Sequence, residues 1–154
     1  MNLLKEKYII LEIIPSGIDK NRGDIIELTA LKLDGLNLLE RFNYRLKEEK
    51  IFIPDFKKLI SYDKESFTYL DGTEEILKEF QNFIGDLPLL IIDNTYTKNF
   101  LVDIPNKKES IFHYLDKEYN EREDHIIEDL MKEYEIEPTN YIVDILYESL
   151  IKHL

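Results

Sequence analysis

Apolar runs in the first third of the chain predict three β-strands. The run from Tyr8 to Ile14 is almost continuously apolar, which is typical of a strand buried on both faces. A second run, from Ile25 to Leu33, ends at Asp34-Gly35, a residue pair that favours a tight hairpin turn. A third segment, from Leu36 to Leu46, alternates in part between apolar and polar residues. We expect these strands to form an antiparallel meander.

Apolar residues at helical spacing dominate the rest of the chain. Thr73 is a candidate N-cap, since Glu74 and Glu75 follow it in a first helical turn where carboxylates are favourable. Gly85 ends the apolar stripe, and the segment from Leu87 to Ile92 predicts a short buried strand. Further helices are predicted around residues 53–60, 94–101, 111–119, 124–134 and 140–154. This order of elements predicts an α/β fold with a mixed sheet, in one domain spanning residues 1–154.

Composition narrows the class of protein. Hydrophobic residues make up 44% of the chain and charged residues 34%, as in globular domains. No apolar run approaches the roughly 20 residues of a membrane-spanning helix, and residues 1–7 are too few and too charged for a secretory signal. The absence of cysteine excludes disulfides and thiolate sites. We therefore expect a cytoplasmic protein without membrane contact.

The net charge of −12 bears on nucleic-acid binding. Proteins that hold nucleic acid through its phosphates usually present a basic face, whereas here Asp and Glu outnumber Lys and Arg by 32 to 20. We expect weak or no nucleic-acid binding. A few lysines are candidate phosphate contacts for residual single-strand binding: Lys5, Lys7, Lys98, Lys107 and Lys108.

Several segments, taken in order, carry a family resemblance over almost the whole chain. They are Tyr8 to Gly17, Asp24 to Gly35, Arg41-Phe42, Ile53-Pro54, Ile76 to Phe80, Leu90 to Thr97, and Asp144. They resemble the DEDD-type 3′–5′ exonucleases, whose first motif strand ends in Asp-x-Glu-Thr-x-Gly and whose later strand ends in His-Asn-x-x-Phe-Asp. The resemblance implies a ribonuclease H-like exonuclease fold, in which helices flank a mixed sheet of an antiparallel three-strand meander plus parallel strands.

The resemblance also implies a two-metal site, in which four acids hold Mg²⁺ or Mn²⁺ and a His or Tyr acts as general base. Glu12 replaces the first Asp, and Ile14 and Thr97 replace the second and third acids. Asp144 is retained, whereas Thr139 stands where a general-base His would lie. In the Tyr-type variant of the family the base would lie at Asn140, with Tyr141 one residue further on as a substitute if the alignment shifts by one. Glu12 and Asp144 are thus the remaining metal-ligand candidates.

Each of these residues can also be explained by a structural role without any catalytic function. Glu12 could be a strand-end residue that reaches solvent or pairs with a lysine, and Asp144 a solvated acid in the first turn of a helix. Asp93-Asn94 is expected to cap the following helix. The three histidines, His113, His125 and His153, are expected at the surface.

The resemblance leads to two hypotheses. The first is a catalytically degenerate DEDD exonuclease-like domain without efficient nuclease activity and without a cofactor. Such a pseudo-enzyme would act as a protein-interaction or regulatory module linked to nucleic-acid metabolism. Its partner would be polymerase or helicase machinery or a second copy, with Ile151 and Leu154 as interface candidates.

The alternative hypothesis is a weak or altered metal-dependent 3′–5′ exonuclease acting on single-stranded DNA or RNA. It would use Mg²⁺ or Mn²⁺, held by Glu12, Asp144 and a third acid such as Asp93 or Asp19.

Overall fold

A computed structural model describes residues 2–47, 67–117, 126–137 and 141–154. The predicted helix around residues 53–60, the vestigial position Thr139, Asn140 and His125 lie outside these residues. Six strands of the described chain form one sheet in the order β4-β3-β2-β1-β5-β6. The strands are β1 (Lys7–Pro15), β2 (Ile25–Asp34), β3 (Asn37–Leu46), β4 (Thr68–Leu70), β5 (Leu89–Ile91) and β6 (Lys108–Ser110).

The strand directions confirm the predicted mixed sheet. Antiparallel pairing joins β1 to β2 and β2 to β3, whereas β4, β5 and β6 pair with their neighbours in parallel. At the β2–β3 hairpin, Gly35 has a φ of +59°, a conformation that L-residues with a side chain rarely adopt. The hydroxyl of Tyr8 donates to the carbonyl of Gly35 at 2.8 Å and fixes this turn to β1.

Helices cover both faces of the sheet. They are α1 (Thr73–Ile84), α2 (Thr95–Phe100), α3 (Ile111–Tyr114), α4 (Ile126–Glu133) and α5 (Ile142–His153). The described part of the chain contains no helix that is long and apolar enough to span a membrane.

The start of α1 corrects one prediction. Gly72 is the N-cap residue, and Thr73 is the first residue of the helix. The Thr73 hydroxyl instead accepts from the backbone N–H of Ile25 and donates to Asp24, both at 2.9 Å. This side chain therefore ties the helix to the start of β2.

Alternation along β1 divides the core into two halves. Ile9, Leu11 and Ile13 pack with α1 and α2, on what we term the α1 face of the sheet. Tyr8 and Ile10 pack with α3, α4 and α5, on the α5 face. Because successive side chains point to opposite faces, positions 12 and 14 lie on the α5 face.

Candidate functional site

Strand register places a polar row across the α5 face. Glu12 of β1 pairs with Thr29 of β2, which pairs with Asn43 of β3. The Glu12 side chain is only 3% exposed, so the interpretation of a strand-end residue that reaches solvent is wrong. Its Oε2 atom has no hydrogen-bond partner among the described residues. Burial, with a smaller contribution from the negative charge of Glu27, raises the pKa of Glu12 from 4.5 to about 8.

The next row contains Ile14, Glu27 and Arg45. Ile14, where the resemblance implies the second acid, is fully buried and offers no ligand atom. Beside it, Glu27 accepts from Arg45 Nη2 at 2.6 Å and from Arg45 Nε at 3.2 Å. Burial raises the pKa of Glu27, and the guanidinium of Arg45 opposes this shift. The Glu27 carboxylate thus forms a salt bridge with Arg45.

Asp144 lies in the first turn of α5, as predicted, but it is not solvated. Its side chain is 17% exposed, and its two oxygens accept from the two terminal nitrogens of Arg41 at 2.7 and 3.2 Å. Arg41 comes from β3, 103 positions earlier in the chain. Such bidentate contacts are among the strongest hydrogen-bonded pairs that arginine forms with a carboxylate.

Aromatic rings connect the two salt bridges into what we term the arginine–aromatic ladder, formed by Arg45, Phe67, Tyr141 and Arg41. The Arg45 guanidinium lies 4.1 Å from the centre of the Phe67 ring, and the Arg41 guanidinium 5.2 Å from that of Tyr141. The Phe67 and Tyr141 rings are 5.9 Å apart, centre to centre. The ladder therefore joins β3 to the start of α5 along the α5 face.

The pattern of polar residues on β2 and β3 indicates where this ladder lies. Arg41, Asn43 and Arg45 are polar at every second position of β3, and Glu27 and Thr29 are polar in the same way on β2. Such alternation predicts that one face of the meander is polar. Pairing between the strands then brings these side chains next to Glu12.

Thr97 is buried on α2, with 1% of its surface exposed. Its backbone N–H donates to the Asn94 side chain at 2.9 Å, which confirms the predicted cap of this helix. The Thr97 hydroxyl has no hydrogen-bond partner in the described structure. The resemblance implies a carboxylate at this position, and the hydroxyl of Thr97 lacks its negative charge.

The other candidate acids are held in surface salt bridges. Asp19 pairs with Arg22 at 2.7 Å, and Asp93 lies 3.5 Å from Lys98. The Asp19 side chain is 20% exposed and that of Asp93 is 46% exposed, and each acid is already paired with a cation.

Three of the five candidate phosphate-binding lysines already have partners. Lys98 pairs with Asp93, and Lys107 lies 3.1 Å from Glu109. Lys108 donates to the backbone carbonyls of Ile104 and Asn106.

The histidines do not form a metal site within the described residues. His113 is exposed, as predicted. His153 is only partly exposed, because its ring lies between the Tyr134 hydroxyl at 2.9 Å and the Asp116 carboxylate at 3.1 Å.

The residues on the α5 face do not fit a pair of divalent metal ions. Mg²⁺ and Mn²⁺ require several oxygen ligands, chiefly ionised carboxylates. Over residues 2–47, 67–117, 126–137 and 141–154, no group of three or more acidic, His or Cys side chains converges on one point. Burial favours the protonated form of Glu12, and both oxygens of Asp144 accept from Arg41.

Comparison with known proteins gives two sequence relatives, whereas no family model matches the chain. The chain is 30% identical over 86 residues to the DNA polymerase III subunit epsilon of Aquifex aeolicus, covering 55% of this chain and 42% of that protein. It is 21% identical over 99 residues to the PolC-type DNA polymerase III of Bacillus cereus, covering 64% of this chain and 7% of that protein. The chain thus spans less than half the length of either relative.

Solved structures share the fold across nearly all of the chain. Exonuclease I from Methylocaldum szegediense superimposes with a TM-score of 0.59 and 14% identity, over 95% of this chain and 39% of that one. Other matching exonuclease I structures include a zinc-bound complex with single-stranded DNA and a complex with SSB-Ct. The sequence relatives and the shared fold confirm the resemblance to DEDD-type 3′–5′ exonuclease domains with a ribonuclease H-like fold.

Proposed function

We propose that this chain is a catalytically degenerate exonuclease-like domain, which serves as a protein-interaction or regulatory module linked to nucleic-acid metabolism. The main support is the state of the two carboxylates at family ligand positions. Glu12 is buried with a raised pKa, and both oxygens of Asp144 accept from Arg41. Ile14 and Thr97 supply no carboxylate at the other two positions. Two-metal hydrolysis needs these ligands together.

Surface features support action through protein contacts. Ile151 and Leu154, three positions apart at the end of α5, are 41% and 51% exposed. Exposed apolar side chains in proximity mark contact surfaces more often than isolated ones do. Both sequence relatives are named as DNA polymerase III proteins, and one is named as a subunit. A polymerase or helicase component, or a second copy, is the class of partner that we propose.

Binding of single-stranded nucleic acid is expected to be weak. The chain carries a net charge of −12, and Lys98, Lys107 and Lys108 are engaged within the domain. Arg41 and Arg45 are likewise held by carboxylates and rings.

A direct nuclease assay tests the proposed loss of activity. The purified domain is incubated with labelled single-stranded DNA or RNA in Mg²⁺ or Mn²⁺, beside a Glu12→Ala/Asp144→Ala double variant. We expect no degradation by either protein. Degradation by the unaltered domain that disappears in the double variant would refute the proposal and establish the weak metal-dependent exonuclease instead.

A further inference from the structure

The α5 face contains two guanidinium groups beside two acids. Arg41 and Arg45 lie four positions apart on β3, so their side chains point to the same face. Arg41 contacts Asp144 and Arg45 contacts Glu27, each at less than 3 Å. These acids are therefore neutralised from within the chain.

We propose that Arg41 is a resident cation that takes the place of a metal ion at Asp144. This inference rests on the proposed function, because it explains how the domain keeps a family carboxylate without binding a divalent ion. The paired contacts at 2.7 and 3.2 Å engage both oxygens of Asp144. A guanidinium is permanently charged, and its planar fork matches the two oxygens of a carboxylate. A divalent cation approaching Asp144 would meet this positive charge at close range.

The arginine–aromatic ladder holds Arg41 in position. The Tyr141 ring lies beside the Arg41 guanidinium and precedes α5 by one residue. Tyr141 in turn contacts Phe67, whose other neighbour is Arg45. Only 34% of the Arg41 side chain is exposed, compared with 66% for Arg22, which forms a salt bridge at the surface. The cation is thus part of the packed structure.

Mn²⁺ titration followed by NMR tests the proposal, because bound Mn²⁺ broadens the amide signals of nearby residues even when binding is weak. The samples are the unaltered domain, Arg41→Gln, and Arg41→Gln/Asp144→Asn. For Arg41→Gln we expect broadening around Asp144 and Glu12, with an apparent Kd for Mn²⁺ at least about tenfold lower than in the unaltered domain. The double variant should lose this gain, which separates binding at Asp144 from general attraction to an acidic surface.

Arg41→Lys provides a second measurement that does not depend on the stability of Arg41→Gln. Lysine keeps the charge but loses the planar fork, so we expect Mn²⁺ binding between that of the unaltered domain and that of Arg41→Gln. Broadening around Asp144 in the unaltered domain would overturn the proposal. So would variants that bind Mn²⁺ no better than the unaltered domain.

The nuclease assay on the same samples separates the two proposals. If the unaltered domain degrades single-stranded DNA with Mn²⁺, the proposed function fails. If it is inactive but removal of Arg41 creates no Mn²⁺ binding, only the resident-cation proposal fails.

Discussion

The two faces of the sheet are built by the same strands but from different chemistry. On the α1 face, β1 contributes Ile9, Leu11 and Ile13, which are apolar and fully buried. On the α5 face, the meander contributes Glu12 and the Glu27–Arg45 pair, with no more than 11% of either paired side chain exposed. Buried ionic pairs are a weak source of stability, because desolvation offsets much of their attraction. The Glu27–Arg45 pair is therefore expected to add less net stability than the apolar packing on the α1 face.

The position of these polar groups is informative. The apolar end of the α5 face, around Tyr8 and Ile10, packs like the α1 face. The polar end begins at Glu12, the position that the exonuclease resemblance gives to the first catalytic acid. This part of the core is thus polar, although Ile14 and Thr97 supply no carboxylate.

The largest expected effect comes from removing one member of the buried pair. Arg45→Met leaves the Glu27 carboxyl without its partner in a site where Glu27 is 5% exposed. We expect a loss of about 3–5 kcal/mol in the free energy of unfolding, measured by urea denaturation. The double variant Arg45→Met/Glu27→Met should recover most of it. Equal losses in the two variants would mean that Arg45 contributes by packing on Phe67 and not by its charge.

The second prediction is that the free energy of unfolding depends on pH through Glu12, which lies on the α5 face. Because the pKa of Glu12 is about 8 in the folded domain and its ordinary value is 4.5, the folded state retains a proton that the unfolded state releases. Stability from this group is therefore complete below pH 4.5 and is lost as the pH rises through about 8. We expect the free energy of unfolding to fall by about 3 kcal/mol from about pH 5.5 to about pH 8.5.

Glu12→Gln is the control for this pH effect, since it removes the titrating group and keeps its size. Its unfolding free energy should vary less over the same pH range, with a residual slope from Glu27, whose pKa is also raised by burial. If both proteins show the same slope in urea denaturation, Glu12 is ionised in the folded domain and the assignment is wrong.

A third and smaller effect is expected when a buried apolar residue is shortened on each face of the sheet. Ile9 and Ile10 are neighbours on β1, both fully buried, and point to opposite faces. Ile9→Val and Ile10→Val should each cost about 1 kcal/mol, because each removes one buried methylene group. Neither cost should depend on pH between about 5.5 and 8.5, since neither substitution changes a charge. A pH-dependent cost for Ile10→Val alone would show that the polar end of the α5 face extends further than its contacts indicate.

Local patterns explain which parts of the fold could be predicted. The apolar run of β1, the turn at Gly35 and the Asn94 cap depend on neighbouring residues and were predicted correctly. The strands β4 and β6 were missed, because each has three residues and is defined by pairing with a distant strand. Within the described part of the helix predicted for residues 111–119, only Ile111–Tyr114 is helical and residues 115–117 are not.

The site was predictable only in part, for the same physical reason. The resemblance identified Glu12 and Asp144 as candidates, and α5 does pack against the face that carries Glu12. The salt bridge between Arg41 and Asp144 spans 103 positions, so no local pattern contains it. The burial of Glu12, and with it the raised pKa, depends on three strands and a helix coming together.

The smallest expected effect concerns the exposed end of α5. Ile151 is 41% exposed, whereas its neighbour Leu150 is fully buried. Ile151→Lys should change the free energy of unfolding by no more than about 0.5 kcal/mol, because the lysine head remains in water. Leu150→Lys, the same type of change one position earlier, should destabilise the domain strongly, since it buries a charge without a partner. A large loss for Ile151→Lys in urea denaturation would mean that this side chain supports the fold, and it would then be unsuited to the contact surface that we propose.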